Sequence, residues 1–201
     1  FELLACGTPV ISTYSKGISD LLGEDTVMIT ESEQDTRRHL ENLLQDEQFW
    51  WKRSLAGMRK VMEHHTYTNR TSTLFVPVGL SLRKPKRVIF RVICPVDSID
   101  DARYFSDLLQ LQEYRNFSIS LVISRSFKLK QGDKESMIQL FNDNGTSVEV
   151  IPAGQSIHKT TTGNVVYRAF LQKEHYYGRN YLRDFALAIR YSGAEILGKA
   201  S

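Results

Sequence analysis

Short apolar runs alternate with amphipathic stretches along this chain, and the alternation predicts strands and helices in turn. The run at 87–98, RVIFRVICPVDS, is mostly apolar, as expected of a strand buried on both faces of a parallel sheet. Leu40, Leu43 and Leu44 recur at helical spacing after Ser32, a residue type that often begins helices. The succession β, α, β, α, α over residues 1–70 and β, α, β, α, β from residue 87 predicts an α/β fold with two units.

The predicted elements define two Rossmann-like units with mainly parallel sheets. In the first unit we predict strands at Val10–Ile11 and Thr26–Thr30 and helices at Gly17–Leu22, from Ser32 and from Phe49 to His65. In the second we predict strands at 87–98, Ser118–Ile123 and Ser147–Ile151, a helix Ile99–Tyr114 capped by Ser98, and a helix Lys134–Asn142 closed by Asn144-Gly145.

The segment at 71–86, TSTLFVPVGLSLRKPK, contains Pro, Gly, Ser and a basic cluster without a helical period. This composition predicts a linker with a solvated charge run at Arg83, Lys84, Lys86 and Arg87. We therefore divide the chain into residues 1–72, a linker at 73–86 and a second unit at 87–201.

Composition narrows the function classes. The 201 residues are 41% hydrophobic and 24% charged, as in soluble globular proteins, and a net charge of +3 gives no basis for nucleic-acid binding. No apolar run reaches the roughly 20 residues of a transmembrane helix. Cys6 and Cys94 lie in apolar stretches and are expected to be buried thiols, which favours a cytoplasmic location. The chain lacks an initiator Met and is expected to be a piece of something longer.

The opening run FELLACGTPVIST, Phe1–Thr13, carries the first candidate site. Its apolar residues are expected to bury a short helical turn, which Gly7 ends with a left-handed cap. Thr8 is expected to begin the next turn, and Val10 to begin a buried parallel strand. At such a helix-to-strand corner the backbone can approach a ligand closely.

This run resembles the donor-site motif E-a-x-A-C-G-x-P-V-I of GT-B-fold glycosyltransferases (glycosyl transferases group 1), particularly the spore-maturation (CgeB-type) subgroup. HTYTNR, His65–Arg70, is similar to the H-T-Y-x-x-R run that ends the same domain. The resemblance implies that Glu2 accepts hydrogen bonds from the ribose hydroxyls of a nucleotide-sugar donor. It places Gly7 and Thr8 near the sugar diphosphate. The first glutamate and the basic residues of that family lie upstream of Phe1, so the chain is expected to hold part of a donor site.

The second unit resembles GT-A-fold family 2 glycosyltransferases, through LLQLQEYRNF at 108–117 and a tail containing Tyr177-Gly178, Tyr181-Leu182, Asp184, Ala194, Gly198 and Lys199. Two family features differ here. Ser124-Arg125-Ser126 stands where an aspartate holds the uracil, and Gln172-Lys173-Glu174-His175 stands where a D-x-D motif holds a metal ion.

The altered metal motif leaves three alternatives. Glu174 and His175 could weakly bind Mn²⁺ or Mg²⁺ at the donor diphosphate, although Lys173 would repel the ion. Lys173 could instead offset the diphosphate charge without metal. The site could also have lost catalysis and survive as a scaffold.

Several other residues suggest sites but are expected to pack or face solvent. Adjacent helical residues point about 100° apart, so His64 and His65 do not form a metal pair. Packing is likewise expected for Trp50 and Trp51 and for Tyr176, Tyr177, Tyr181 and Tyr191.

Two function classes follow from the sequence. One is a glycosyltransferase, or a piece of one, that moves a sugar from a nucleotide-sugar donor to a cell-envelope or spore-surface glycan acceptor. The alternative is a non-catalytic scaffold that binds nucleotide or carbohydrate. The sugar, the base, the acceptor and the stereochemical outcome stay open.

Overall fold

The computed structural model describes residues 1–80, 87–141, 146–155 and 166–198. The chain divides into two compact units, Phe1–Lys84 and Pro85–Ser201, called here the N-terminal and C-terminal units. Two sheets are described, of two and four strands, and every strand pair is parallel. The predicted α/β fold with parallel sheets is therefore confirmed. The Asn144-Gly145 helix stop, three basic residues of the charge run (Arg83, Lys84, Lys86) and Lys199 lie outside the described residues.

The N-terminal unit carries short strands and longer helices. Its strands are β1 (Val10–Thr13) and β2 (Val27–Thr30), paired with Val10 opposite Val27. Its helices are α1 (Glu2–Ala5), α2 (Lys16–Leu21), α3 (Glu33–Gln45), α4 (Glu47–His64) and α5 (Tyr67–Phe75), followed by a 3₁₀ turn, Val76–Val78.

Side-chain caps fix where the two long helices begin. Ser32 Oγ accepts a hydrogen bond from the Asp35 amide at 3.1 Å, and Asp46 Oδ1 accepts one from the Phe49 amide at 2.9 Å. These caps satisfy amides that have no partner inside the first turn of a helix.

Two predictions for this unit need correction. Helix α5 continues to Phe75, so the prediction that residues from 71 onward are not helical was wrong. Thr71 and Thr73 each donate to the carbonyl four residues earlier, which satisfies their hydroxyls inside the helix. Strand β1 is partly buried rather than buried, because β2 is its one neighbour in the described sheet.

Within its described residues, the C-terminal unit has a four-stranded sheet and three helices. Its strands are β3 (Ile89–Val96), β4 (Phe117–Ile123), β5 (Val148–Ile151) and β6 (Val166–Phe170), in the spatial order β5-β4-β3-β6. Its helices are α6 (Ile99–Gln110), α7 (Asp133–Gln139) and α8 (Tyr181–Ser192). Helix α6 ends at Gln110, four residues before the predicted end.

The core of this unit forms between β3, β4 and the helices. Its fully buried members include Val92, Phe105, Leu121 and Met137. The chain runs from β3 through β4 to β5 on one side and then returns to place β6 on the other side of β3. Ligands of open α/β sheets bind at such a reversal, outside the carboxyl ends of the strands. The ends of β3 and β6 therefore mark the place to look for a site.

No helix among the described residues is long and apolar enough to cross a bilayer.

Candidate functional site

The first candidate site is the corner between α1 and β1. The Thr8 amide donates to the Leu3 carbonyl at 2.9 Å and the Gly7 amide to the Leu4 carbonyl at 3.0 Å. Gly7 has a φ of +77°, the left-handed conformation that glycine adopts without strain. These two bonds form a Schellman ending, so the predicted Gly7 cap is confirmed as backbone geometry.

Helix α4 holds this corner by close contact. A Cβ placed on Gly57 would lie 2.7 Å from Leu4 Cδ2, and Leu4 is almost fully buried. A Cβ on Gly7 would lie 3.1 Å from both Met58 Cε and Ser54 Oγ. The two glycines thus allow α1 and α4 to approach more closely than side chains would permit.

Glu2 stands on this fixed turn with its side chain 89% exposed. A hydrogen bond from its own backbone amide lowers the pKa of Glu2, which keeps it a carboxylate at neutral pH. Gly7 is buried and Thr8 is exposed. The corner therefore presents one carboxylate and one hydroxyl.

The two N-terminal motifs meet at Phe1. The Phe1 ring lies 5.0 Å from the His65 ring, centroid to centroid, and Arg70 Cζ lies 4.4 Å from the Phe1 centroid. His65 Nε2 lies 2.9 Å from the Leu21 carbonyl oxygen; since a carbonyl only accepts, Nε2 carries the proton. Burial lowers the pKa of His65 and favours the neutral ring. We did not predict this contact from the sequence, although the two motifs belong to one family pattern.

Other N-terminal candidates do not form a site in the described structure. Trp50 and Trp51 pack edge to face against each other at 4.9 Å, between ring centroids. His64 and His65 lie 6.3 Å apart between ring centroids, and His64 faces the Glu63 carboxylate at 3.6 Å. Cys6 is exposed, so its predicted burial was wrong: α1 buries only Leu4.

The second candidate site is the sheet reversal in the C-terminal unit. Lys173 Nζ lies 2.9 Å from Asp101 Oδ1, and Asp101 Oδ2 accepts a hydrogen bond from the Asp97 amide at 2.8 Å. Asp97 directly follows β3, Asp101 lies in the first turn of α6, and Lys173 follows β6. The carboxyl ends of β3 and β6 are thus joined by an ion pair within the chain.

The ion pair changes how both groups titrate. Burial opposes the ionisation of Asp101, but hydrogen bonds from Lys173 and the Asp97 amide outweigh it and hold its pKa below the ordinary value. The hydrogen bond to Asp101 raises the pKa of Lys173. Both groups are therefore charged at neutral pH.

Glu174 and His175, the predicted metal candidates, are both exposed. Among the described residues, no three His, Cys, Asp or Glu side chains converge as a metal site would require. His175 packs edge to face on Tyr177 with 6.5 Å between ring centroids, and Tyr177 Oη accepts a hydrogen bond from the Gln172 amide at 2.8 Å. These residues form a hydrogen-bonded turn, and a carboxylate and an imidazole alone are few ligands for a divalent ion.

The same turn is tied to the end of α6 by Gln112, which is buried. Gln112 Nε2 donates to the Gly178 carbonyl at 3.1 Å, and its Oε1 accepts from the Leu182 amide at 3.2 Å. The tyrosines Tyr177 and Tyr181 pack edge to face at 4.8 Å, and burial raises the pKa of both. Tyr176 and Tyr191, in contrast, are exposed, so the expectation of packing was wrong for them.

Comparison with known families finds a match in the N-terminal unit. Residues 1–75 match the family model described as Glycosyl transferase-like. This match covers both N-terminal motifs and ends with α5. No curated protein and no solved structure matches the chain. The N-terminal segment is thus similar to glycosyl transferases.

Proposed function

We propose that the chain is part of a glycosyltransferase and that the α1–β1 corner contributes to its nucleotide-sugar donor site. The observation that carries the proposal is an exposed carboxylate on a fixed turn, Glu2, inside the segment that matches the Glycosyl transferase-like family. In the proposed role Glu2 accepts hydrogen bonds from the ribose hydroxyls, and Gly7 and Thr8 lie along the sugar diphosphate.

The chemistry of the corner supports this role. A carboxylate offers two oxygens that accept hydrogen bonds, which suits the paired hydroxyls of a ribose. The acceptor is proposed to be a cell-envelope or spore-surface glycan, on the GT-B (CgeB-type) resemblance alone, and the reaction to occur in the cytoplasm.

Donor binding and turnover test the proposal. The full-length protein is titrated with UDP, ADP and GDP, and hydrolysis of the matching nucleotide sugar is followed. We expect binding to weaken about tenfold or more in Glu2→Gln, because hydrogen bonds to a charged group are lost. Residues 1–70 alone are expected to bind with dissociation constants at or above about 1 mM, or roughly 4 kcal/mol. Binding by none of the three nucleotides would refute the proposal.

A specific observation favours a second function for the C-terminal unit, that of a non-catalytic scaffold. Lys173, the cation that could offset a diphosphate, is already paired with Asp101 inside the chain. A ligand would have to compete with that carboxylate, and a divalent ion would meet the ammonium. We propose that this unit descends from the GT-A-fold enzymes that residues 87–201 resemble. We further propose that it has no Mn²⁺-dependent transferase activity of its own.

Manganese titration tests the scaffold role. Mn²⁺ is added to the protein while the His175 ring resonances are followed, with donor turnover measured in parallel. We expect no site-specific broadening below about millimolar Mn²⁺, since one carboxylate and one imidazole compensate poorly for dehydration of the ion. Broadening with metal-stimulated turnover that disappears in Glu174→Gln would show a variant but working site.

A further inference from the structure

We propose that His65 and Arg70 are positioning residues of the donor site, because they hold Phe1 and, through it, the turn that carries Glu2. The proposal rests on the donor role proposed above. We call Phe1, His65 and Arg70 the Phe1 cluster. The proposal gives a role to the second N-terminal motif, HTYTNR at 65–70, which lies more than 60 positions from Glu2 in the sequence.

The Phe1 cluster places the ring between a cation and an imidazole. The 4.4 Å from Arg70 Cζ to the ring centroid is a cation–π distance, and the His65 ring is tilted by 43° to the Phe1 ring. His65 is held in turn by its bond to the Leu21 carbonyl at the end of α2. Phe1 is therefore attached to two other elements of the unit.

Phe1 matters to Glu2 through the backbone of α1. The Phe1 carbonyl accepts a hydrogen bond from the Ala5 amide at 2.9 Å, and the Glu2 carbonyl accepts one from the Cys6 amide at 3.0 Å. A helix of four residues does not form by itself, because its first turn is unfavourable to nucleate. The turn needs an anchor at each end: Leu4 against Gly57 is one, and the Phe1 cluster is the other.

The environment of Arg70 indicates that its contact with the ring is important. Its Nη2 atom is buried and has no hydrogen-bond acceptor among the described residues. A buried donor without an acceptor lowers stability. The guanidinium instead contacts the face of the Phe1 ring. Each of the two side chains therefore restricts the motion of the other.

The test compares Arg70→Ala and Arg70→Lys with Arg37→Ala in the full-length protein. Arg37 is a matched control: it is an exposed arginine of the same unit that pairs with Glu33 at 3.1 Å. Without ligand, amide hydrogen exchange of Ala5 and Cys6 should accelerate about threefold or more in Arg70→Ala, as loss of a cation–π contact allows. Arg70→Lys, which keeps the cation, should restore much of the protection, and Arg37→Ala should leave it unaltered.

A second readout separates positioning from general stability. The dissociation constant of 2′-deoxyuridine diphosphate divided by that of UDP reports the contact between Glu2 and the ribose. This ratio should fall toward one in Glu2→Gln and in Arg70→Ala, and be partly recovered in Arg70→Lys. Exchange rates in Arg70→Ala that equal those of Arg37→Ala would overturn the proposal. A ratio lost in Glu2→Gln but kept in Arg70→Ala would overturn positioning alone, whereas failure of wild-type protein to bind UDP overturns the uridine donor role and this proposal with it.

Discussion

The two candidate sites differ in what their charged groups already contact. At the N-terminal corner, the Glu2 carboxylate is 89% exposed on a turn whose backbone is fixed by Gly7 and Gly57. At the sheet reversal of the C-terminal unit, Asp101 and Lys173 neutralise each other at 2.9 Å. A binding site needs charges that are held in place but still available to a ligand. The first corner offers an accessible carboxylate on a fixed backbone, whereas the charges of the second are held in place but already paired with each other.

The cores of the units differ as well. The buried cluster of the C-terminal unit spans three strands and three helices, whereas that of the N-terminal unit consists of Leu4, Leu22, Val27 and Val61. A large core gives a scaffold stability. The N-terminal unit, in contrast, must keep its candidate site in place with few buried contacts. Each contact of Leu4 is therefore expected to matter both for stability and for the donor site.

The largest expected effect comes from the larger core. Phe105→Ala removes a fully buried ring from α6, and we expect the free energy of unfolding of the C-terminal unit to fall by about 3–5 kcal/mol. Calorimetry with residue-resolved hydrogen exchange measures this loss. Leu111→Ala, at an exposed position, is the control. An equal loss of protection in the N-terminal unit would contradict the separation of the two cores.

In the N-terminal unit, Leu4→Ala should lower the free energy of unfolding by about 2–3 kcal/mol, because it leaves a cavity against α4. The control is Leu3→Ala in the same turn, where the side chain is 60% exposed and the change should stay within about 0.5 kcal/mol. Denaturant unfolding of both variants provides the comparison. Similar losses for the two leucines would show that α1 is not anchored through Leu4.

A smaller effect is expected from the ion pair. The lowered pKa of Asp101 gives the C-terminal unit stability above the ordinary Asp value of 3.8, and this stability is lost as the pH falls through the lower folded pKa. The raised pKa of Lys173 gives stability below its ordinary value of 10.5, and this is lost as the pH rises through the higher folded value.

Asp101→Asn should therefore reduce stability at neutral pH and flatten both limbs of the pH profile, as measured by thermal unfolding from pH 2 to pH 11. Asp100→Asn is the matched control, because Asp100 is an exposed neighbour that pairs with Arg103. A profile that Asp101→Asn leaves unchanged would mean that the pair contributes nothing to folding.

Local chemistry made much of this fold predictable. Ser32 and Ser98 begin helices as their residue type suggests, and Gly7 takes the left-handed conformation that the motif requires. The predictions failed where residues distant in the sequence determine the local structure. Helix α6 ends at Gln110 rather than Tyr114, and nearby Gln112 is bonded to Gly178, 66 positions away. The Lys173–Asp101 pair spans 72 positions, and no local pattern indicates it.

The matched pair Glu2→Gln and Glu174→Gln tests the central claim most directly. Both variants exchange an exposed carboxylate for an amide of the same shape, one at each candidate site. Nucleotide affinity of the full-length protein is measured by titration with UDP, ADP and GDP. We predict a loss of about tenfold or more for Glu2→Gln and no change for Glu174→Gln. Affinity that survives in Glu2→Gln, or that falls in Glu174→Gln instead, would contradict the assignment of donor binding to the N-terminal corner.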